Sequence, residues 1–306
     1  MNIDLEKLQM RPVKDSWVAD RATYLGGTDI AAILGLHPYK TPRIVYMEKK
    51  GLKAGPELNQ AMLHGSNLEL YVMQLYRLHT GKTLHKSKLY RDKNIPFFAA
   101  NPDYEIRGEP GLLECKTTNQ FMAEEWGDEE DAVPNQYNVQ TQWQMAITGR
   151  MFVDLAVLIG GQQFRVYHIE RDEELIETLK FRAYDWWTTY MESDCPPPLT
   201  GNEPDCRMVK EQFPDSCSEV RYATPEVEEL CNQLNKITAM CKTTDTEKKR
   251  LQNLIKVEME NCGELHFAGG KIIWRTDKNN VRAFKPTFKE EKTCQAISQQ
   301  QTQMVV

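Results

Sequence analysis

The chain has 306 residues, and its 38 Lys and Arg against 44 Asp and Glu give a net charge of −6. A hydrophobic fraction of 41% excludes disorder of the whole chain, and the lack of a run of about 18 apolar residues excludes a membrane-spanning protein. The N-terminal segment has neither a basic start nor an apolar core, so we expect no signal peptide. Eight cysteines without a C-x-x-C pair are typical of reduced thiols, and we expect a cytoplasmic protein.

After a predicted arm over residues 1–16, helices and strands alternate. We predict, in chain order, helices over 29–34, 41–50 and 56–80, strands over 95–100 and 111–116, a helix over 134–148, strands over 151–159 and 163–170, and a helix over 173–193. Thr28 is the predicted N-cap of the first helix, because a side-chain hydroxyl can accept a free helical N–H. Gly160-Gly161 predicts a hairpin between the last two strands.

The composition changes after this mixed α/β part, which indicates a division into domains. Residues 1–194 form the predicted core, and 195–222, which are rich in Pro, Asp and Cys, form a predicted connector. Residues 223–292 are expected to form an α+β extension, with a helical hairpin over 225–241 and 246–260 and a strand pair over 264–268 and 271–275. The Gln-rich residues 293–306 are predicted to be disordered.

The most informative segment contains Asp103 and, after ten further residues, Glu114-Cys115-Lys116. On a strand, Glu114 and Lys116 face one side and Cys115 the other, and Asp103 can reach the side of Glu114 across the turn. Carboxylate oxygens suit Mg²⁺ or Mn²⁺, and a neighbouring lysine can orient a water molecule. The pattern predicts metal-assisted phosphodiester hydrolysis. A surface hairpin with one ion pair is the alternative, because short patterns of charged residues are common.

The predicted helix over 134–148 has a polar and an apolar side. Tyr137, Gln140 and Gln144 fall on the polar side, which offers phenol and amide groups to whatever lies over the strands. The apolar side carries Trp143 and is expected to be buried. Glu69, on the predicted helix over 56–80, adds a third carboxylate that would complete a second metal site if this helix packs beside the strands.

Further segments extend the acidic pattern into an ordered set. They are Trp17-x-x-x-Arg21 with Gly27-Thr28-Asp29, His64-Gly65-x-x-x-Glu69, Pro102-Asp103 with Glu114-Cys115-Lys116, Tyr137-x-x-Gln140-x-Gln142, and His168-Ile169-Glu170-Arg171-Asp172. Together these motifs resemble those of the YqaJ-type viral recombinase family, the group of PD-(D/E)xK nucleases that includes phage lambda exonuclease. The resemblance implies an α/β nuclease core with a mixed central sheet flanked by helices, beside the predicted C-terminal helical hairpin and small β-sheet.

The resemblance implies a function as well as a fold. It implies a processive, metal-dependent 5′→3′ exonuclease that acts on ends of duplex DNA and leaves a 3′ single strand for an annealing protein. It also implies one or two Mg²⁺ or Mn²⁺ ions in each active site, and a homo-oligomer such as a trimeric ring around DNA.

The family motifs imply a role for each matching residue. The implied metal ligands are Glu69, Asp103, Glu114 and the carbonyl of Cys115, with Lys116 and Gln140 as further catalytic residues. The implied 5′-phosphate site consists of Arg21 and Thr28, and the implied further DNA contacts are Tyr137 and Gln142. From the residues alone, an ion pair of Arg21 with Asp20 or Asp29 is an equally good interpretation.

Three other functions fit parts of the sequence. The first is a structure-specific or single-strand endonuclease of the same fold, and the second is a DNA-binding protein with a decayed site, against which the intact Asp103, Glu114 and Lys116 argue. The third is an adenine methyltransferase, because Asn101-Pro102-Asp103-Tyr104 is close to the N-P-P-Y motif that binds a flipped base. No glycine-rich nucleotide loop follows a first strand, which argues against the methyltransferase.

Overall fold

The structure is a computed structural model that describes residues 20–55, 59–129, 131–216, 218, 220–278 and 281–289. The chain divides into two units, of which the first ends at Ser216. The elements of the first unit are α1 (Gly27–Ile33), α2 (Pro42–Lys49), α3 (Gln60–Thr80), β1 (Leu84–Lys86), β2 (Tyr90–Arg91), β3 (Ala99–Ala100), β4 (Tyr104–Ile106), β5 (Gly111–Thr118), a 3₁₀ helix (Gln120–Glu125), α4 (Asn135–Thr148), β6 (Phe152–Ile159), β7 (Gln163–Glu170), α5 (Glu173–Trp186), a π-helical segment (Trp187–Glu192) and α6 (Glu203–Gln212). The predicted arm over 1–16 and the predicted tail over 293–306 lie outside the described residues.

A mixed sheet with the strand order β1-β4-β5-β6-β7 forms the centre of the first unit. The two longest central strands, β5 and β6, run parallel, and the other neighbouring strands are antiparallel. Parallel neighbours need a crossover connection, and α4 supplies it between β5 and β6. The mixed central sheet that the sequence predicts is therefore confirmed.

Helices cover both faces of this sheet. On one face, Met145 of α4 and Ile176 of α5 pack in a buried cluster with Leu155 of β6. On the other face, Val72 of α3 packs in a second buried cluster with Leu113 of β5. Because both faces are covered, β5 and β6 are apolar along most of their length.

The side chains of β5 alternate between the two layers as predicted. Cys115 belongs to the apolar cluster on the α3 side. Glu114 and Lys116 point to the opposite side and contact Gln140 of α4. A charged pair is thus held between the sheet and the helix that connects its two parallel strands.

The first helix begins two residues earlier than predicted. Gly26 is the N-cap and α1 starts at Gly27, so Thr28 lies inside the first turn and is not the cap. The Asp29 side chain accepts the N–H of Gly26 at 3.0 Å. Asp29, and not Thr28, therefore makes a side-chain hydrogen bond at the start of the helix.

The predicted connector over 195–222 contains a helix, α6, that belongs to the first unit. Asp205 in this helix is 1% exposed and accepts hydrogen bonds from the Thr41 hydroxyl and, at 2.7 Å, from the backbone N–H of Thr200. The segment predicted as a connector thus contains a helix, and a buried carboxylate anchors it to the N-cap of α2.

The second unit consists of a long helix and a small sheet. Its elements are α7 (Pro225–Met259), β8 (Glu264–Phe267), β9 (Gly270–Thr276) and β10 (Arg282–Phe288). The predicted helical hairpin was wrong, because α7 is one helix of 35 residues. The polar stretch over 242–245 contains neither Gly nor Pro, and the hydroxyls of Thr243 and Thr244 donate to carbonyls four residues earlier. The helix therefore continues through it.

The small sheet has the order β10-β9-β8, with antiparallel neighbours. The sequence predicts β8 and β9 but not β10, whose Pro286 argues against a central strand. Because β10 is an edge strand, proline is tolerated there. Within the part of the chain that the structure describes, no helix is long and apolar enough to span a membrane.

Candidate active site

The carboxylate of Glu114 is the centre of a hydrogen-bonded cluster between β5 and α4. Its Oε1 accepts from Lys116 Nζ at 2.7 Å and from Gln140 Nε2 at 2.7 Å. Its Oε2 accepts from Gln144 Nε2 at 2.8 Å. Glu114 is only 4% exposed, and these three donors fix both of its oxygens in a site with little solvent.

Lys116 lies where three groups of the site meet. Besides Glu114, its ammonium group donates to Gln140 Oε1 at 3.1 Å and lies 5.1 Å from the centroid of the Tyr137 ring. Burial lowers the pKa of Lys116, but the charges of Glu114 and Asp103 outweigh burial and raise this pKa above its ordinary value. Without a bound cation, Lys116 is therefore a proton-bearing donor at neutral pH.

Asp103 lies between β3 and β4, beside the backbone of β5. Its Oδ2 accepts the backbone N–H of Cys115 at 2.9 Å, which brings Asp103 next to the Glu114 strand. Burial, together with the negative charges of Glu114 and Glu69, raises the pKa of Asp103 well above its ordinary value. Asp103, Glu114 and Glu69 thus repel one another within one site.

Lys86 of β1 is a member of the site that the sequence analysis missed. Its ammonium group lies 2.9 Å from Glu69 Oε1 and 3.9 Å from Asp103 Oδ1. Lys86 is paired with Tyr104 in the β1–β4 register, one residue from Asp103. This pairing of distant segments carries no local sequence signal, and only the sheet brings Lys86 to the carboxylates.

The chemistry of the donor groups fits a divalent cation. Carboxylate oxygens are hard ligands suited to Mg²⁺ or Mn²⁺, and a divalent charge would relieve the repulsion that raises the pKa of Asp103. The Cys115 thiol faces the apolar layer, and burial raises its pKa, so Cys115 can offer only its carbonyl. Among the described residues, no three His, Cys, Asp or Glu side chains converge closely enough to hold an ion by themselves. Lys86 and Lys116 contact the carboxylates instead.

The segment that carries Arg21 and Thr28 is tied to α2 by Lys49. The Lys49 ammonium group donates to Asp29 Oδ2 at 2.8 Å and to the backbone carbonyl of Arg21 at 2.8 Å. Asp29 is thus paired with Lys49, while Asp20 lies 2.5 Å from Arg91. The two acidic residues that competed for Arg21 in the sequence analysis each have another cationic partner.

A pocket of about 170 Å³ joins Thr28 to the Glu114 cluster. Its wall includes Lys116, Gln140 and His37, of which the sequence analysis did not identify His37. Burial and the nearby charge of Lys40 lower the pKa of His37 to about 4, so His37 is neutral at pH 7. Its Nδ1 lies 3.1 Å from the backbone nitrogen of Tyr39 and accepts this N–H, which leaves the ring proton on Nε2.

Gln142 lies away from the pocket and serves the scaffold. Its Nε2 donates to the Glu170 carbonyl at 2.7 Å, and its Oε1 accepts the N–H of Asp172 at 2.9 Å. Gln142 is 3% exposed, so its amide cannot reach DNA without losing both bonds. The expected DNA contact is therefore corrected to a link between α4 and the end of β7.

Gln144 was not among the expected site residues, although it lies on the polar side of α4. Its Nε2 binds Glu114, and its Oε1 is buried with no hydrogen-bond partner among the described residues. A buried amide oxygen without a partner costs free energy, and we infer that the bond from Nε2 to Glu114 outweighs this cost.

His168, in the last of the family motifs, contacts a different acidic residue. Its Nδ1 lies 2.7 Å from Asp154, which also accepts from the Tyr76 hydroxyl at 2.5 Å and from Lys82 at 3.1 Å. Asp154 is 4% exposed and points to the α3 side of the sheet, opposite to Glu114. This cluster fastens α3 to the sheet and takes no part in the site.

Known proteins resemble this chain in sequence and in structure. Bacillus subtilis protein YqaJ is 31% identical over 273 residues, which cover 87% of this chain and 85% of that protein. The alkaline exonuclease LHK-Exo from Laribacter hongkongensis is 21% identical, with a TM-score of 0.48 over 66% of this chain and 98% of that one. A putative exonuclease from Eubacterium rectale is 12% identical, with a TM-score of 0.48 over 72% and 98%.

The matching family model covers the part of the chain that carries the cluster. Residues 16–151 match the YqaJ-like viral recombinase domain, and this range contains Asp103, Glu114, Lys116 and Gln140. With the YqaJ relative matched along most of its length, the chain belongs to the YqaJ-like viral recombinase family.

Proposed function

We propose that this protein is a metal-dependent exonuclease that degrades one strand of linear duplex DNA in the 5′→3′ direction. The observation that carries the proposal is the cluster of Asp103, Glu114 and Lys116, with Gln140 bound to both of the latter. The cluster contains carboxylates for a cation and a fixed ammonium donor beside them. Membership of a viral recombinase family, with exonucleases among the similar structures, supports the same function.

Asp103 and Glu114 would hold a Mg²⁺ or Mn²⁺ ion, together with the Cys115 carbonyl, and Glu69 would help to hold a second. When bound, such ions neutralise charge on the scissile phosphate. Gln140 and Gln144 fix the orientation of Glu114 in advance, so that its oxygens need not reorganise when the substrate enters.

Lys116 acts on the attacking water. Because its pKa is raised, Lys116 keeps its proton and donates a hydrogen bond that positions the water and stabilises the hydroxide as it forms. Glu114 and Gln140 accept two of the three N–H bonds of the ammonium group, so the third N–H can donate to the water. Gln140 helps to orient the water or the DNA strand.

Recognition of the DNA end requires a group that distinguishes a terminal phosphate from an internal one. A terminal 5′-phosphate carries more charge, and the guanidinium fork of Arg21 and the hydroxyl of Thr28 suit it. The pocket that runs from Thr28 to Lys116 supports this assignment, because it connects the proposed phosphate site to the proposed catalytic lysine. Tyr137, which also lines this pocket, is proposed to contact the DNA.

The test is a digestion with Mg²⁺ of linear duplexes that carry 5′-phosphate or 5′-hydroxyl ends, beside closed circular DNA. We expect rapid loss of the 5′-phosphorylated duplex, slower loss of the 5′-hydroxyl duplex and intact circles. Lys116→Ala should lower the rate by about 10²-fold or more, as for a positioned catalyst. Lys180→Ala, which replaces a half-buried lysine on α5 that pairs with Glu177, is the control and should cut normally.

The remaining variants separate end recognition from chemistry. Arg21→Ala should abolish the preference for 5′-phosphate, and Arg182→Ala, an exposed arginine on α5, should retain it. Rapid cutting of closed circles would replace the exonuclease by an endonuclease of the same fold. Equal initial rates on both kinds of end in the wild type would remove Arg21 and Thr28 from end recognition.

The proposal extends to partners. A 3′ single strand left by this activity would be the substrate of an annealing protein, and a trimeric ring around DNA would keep the enzyme on one strand. Sedimentation of the protein with and without duplex DNA tests the ring, and co-purification with a candidate annealing protein tests the partner.

A further inference from the structure

The described elements of the second unit leave nearly all of the surface of helix α7 uncovered. It has 35 residues, which corresponds to a length of about 52 Å. Every side chain over residues 225–251 is exposed, and within the helix only Met259 is buried. Because the described elements of the second unit do not cover the first seven turns of this helix, these turns need either a strongly polar surface or a partner outside that unit.

The exposed surface of α7 is not uniformly polar. A stripe of apolar and small residues recurs at alternating steps of three and four, as in the a and d positions of a coiled coil. The stripe consists of Val227, Leu230, Leu234, Ile237, Cys241, Leu251 and Ile255, and the polar residues Thr244 and Lys248 interrupt it between Cys241 and Leu251. Leu230 and Leu234 are 62% and 65% exposed, whereas a stripe covered by its own chain would be largely buried.

The charges of α7 are separated along its length. Glu226, Glu228 and Glu229 lie at the N-terminal end with no basic residue before Lys236. Lys248, Lys249 and Arg250 follow one another in the second half, where Arg250 pairs with Glu247 at 2.7 Å. One end of the exposed stripe is therefore acidic, and the part about 20 residues further on is basic.

We infer that α7 docks on the α7 helix of a second copy of this chain, antiparallel, with residue 239 near the centre of the pair. In this arrangement the acidic end of each helix lies beside the basic triplet of the other, whereas a parallel pair would place acid beside acid. A two-fold axis makes the contact identical for both copies, so each favourable pairing occurs twice.

The same arrangement places part of the apolar stripe opposite itself. Val227 lies opposite Leu251, Leu234 opposite Thr244, and Ile237 opposite Cys241 of the other copy. Leu230 lies opposite Lys248, whose aliphatic stem can cover it while the ammonium group reaches the acidic end. The pairing thus satisfies the apolar and the charged pattern in one register, and it does not depend on the nuclease function.

The first test measures the mass of the intact protein by sedimentation at micromolar concentration. With the pairs formed between copies of different rings, the double variant Leu234→Lys and Ile237→Lys should have half the mass of the wild type. The control is Asn232→Lys with Ala239→Lys, which adds the same charge on the opposite side of α7 and should keep the wild-type mass. Equal masses for the wild type and the stripe variant, both helical by circular dichroism, would overturn the inference.

The second test uses the native cysteines of α7 and a thiol cross-linker with a reach of about 10 Å. In the antiparallel pair, Cys241 is offset by four residues from its counterpart, or about 6 Å along the axis, whereas Cys231 is offset by 16 residues, or about 24 Å. Mass spectrometry of cross-linked peptides should find a link between two copies of Cys241, which Cys241→Ser removes and Cys231→Ser does not. A link between two copies of Cys231 would indicate a parallel pair and would overturn the inference, as would the absence of any link through Cys241.

Discussion

Helices α4 and α7 are both amphipathic, and they use their apolar sides differently. In α4, Val139, Trp143 and Met145 are buried by other elements of the same unit. In α7, Leu234 and Ile237 are exposed although they also belong to an apolar stripe. Apolar periodicity therefore predicts which side of a helix will be covered, but it does not say whether the cover is in the same chain.

The largest effect is expected where the polar side of α4 meets the sheet. Asp103→Ala should abolish cleavage, because the variant loses a carboxylate needed to neutralise charge at the scissile phosphate. Nuclease assays and DNA binding in EDTA are the measurements, and binding should be largely retained. Normal cutting by this variant would disprove the proposed mechanism.

The comparison of the two helices predicts a large difference in stability effects. Trp143 is fully buried, packs against the Phe98 ring and donates to the Ala99 carbonyl at 2.9 Å. Trp143→Ala should lower the free energy of unfolding of the first unit by about 3–5 kcal/mol. Leu234→Ala should change the free energy of unfolding of the second unit by less than about 0.5 kcal/mol at protein concentrations where the copies do not associate. Urea denaturation monitored separately in each unit measures the two losses, and similar losses would contradict the comparison.

A smaller effect is expected at Gln144, on the polar side of α4. Gln144→Leu removes one hydrogen bond to the buried carboxylate of Glu114 and also removes an amide oxygen that lacks a partner. We expect the free energy of unfolding to fall by about 1.5–3 kcal/mol at most, since the loss of a bond to a charged group is partly offset. Activity should fall less than in Lys116→Ala. An unchanged urea midpoint would show that the bond to Glu114 contributes nothing.

The smallest expected effect is a pH dependence of stability from Asp103. Its pKa is raised by burial and by the charges of Glu114 and Glu69, so the folded protein keeps a proton at pH values where the unfolded chain has lost it. In EDTA, stability should therefore decrease as the pH rises from the ordinary aspartate pKa of 3.8 through the raised one. Asp103→Asn should reduce this slope, as measured by urea midpoints between pH 4 and pH 8. An identical slope in the variant would assign the effect to other groups.

Local patterns predicted much of the geometry of the candidate site. The alternation over β5 correctly separated Glu114 and Lys116 from Cys115, because a buried strand leaves only two directions for its side chains. The spacing on α4 likewise placed Gln140 and Gln144 on the side that meets Glu114. Both predictions rest on backbone geometry alone.

Residues that join the site through long-range pairing could not be predicted in this way. Lys86 reaches Glu69 and Asp103 only because β1 pairs with β4, and the short β1 strand has no distinctive pattern. His37 acquires its low pKa from burial beside Lys40 in the folded chain. The break predicted within α7 failed for another reason, since polar residues without Gly or Pro do not end a helix.

The bond network of Lys49 has a consequence for engineering. One ammonium group fixes the backbone of Arg21 and the carboxylate of Asp29, and it comes from a different helix. A graft of the segment that carries Arg21 and Thr28 onto another nuclease would leave Asp29 buried without its counter-charge. A transfer of the proposed end-recognition segment to another protein would therefore have to include α2.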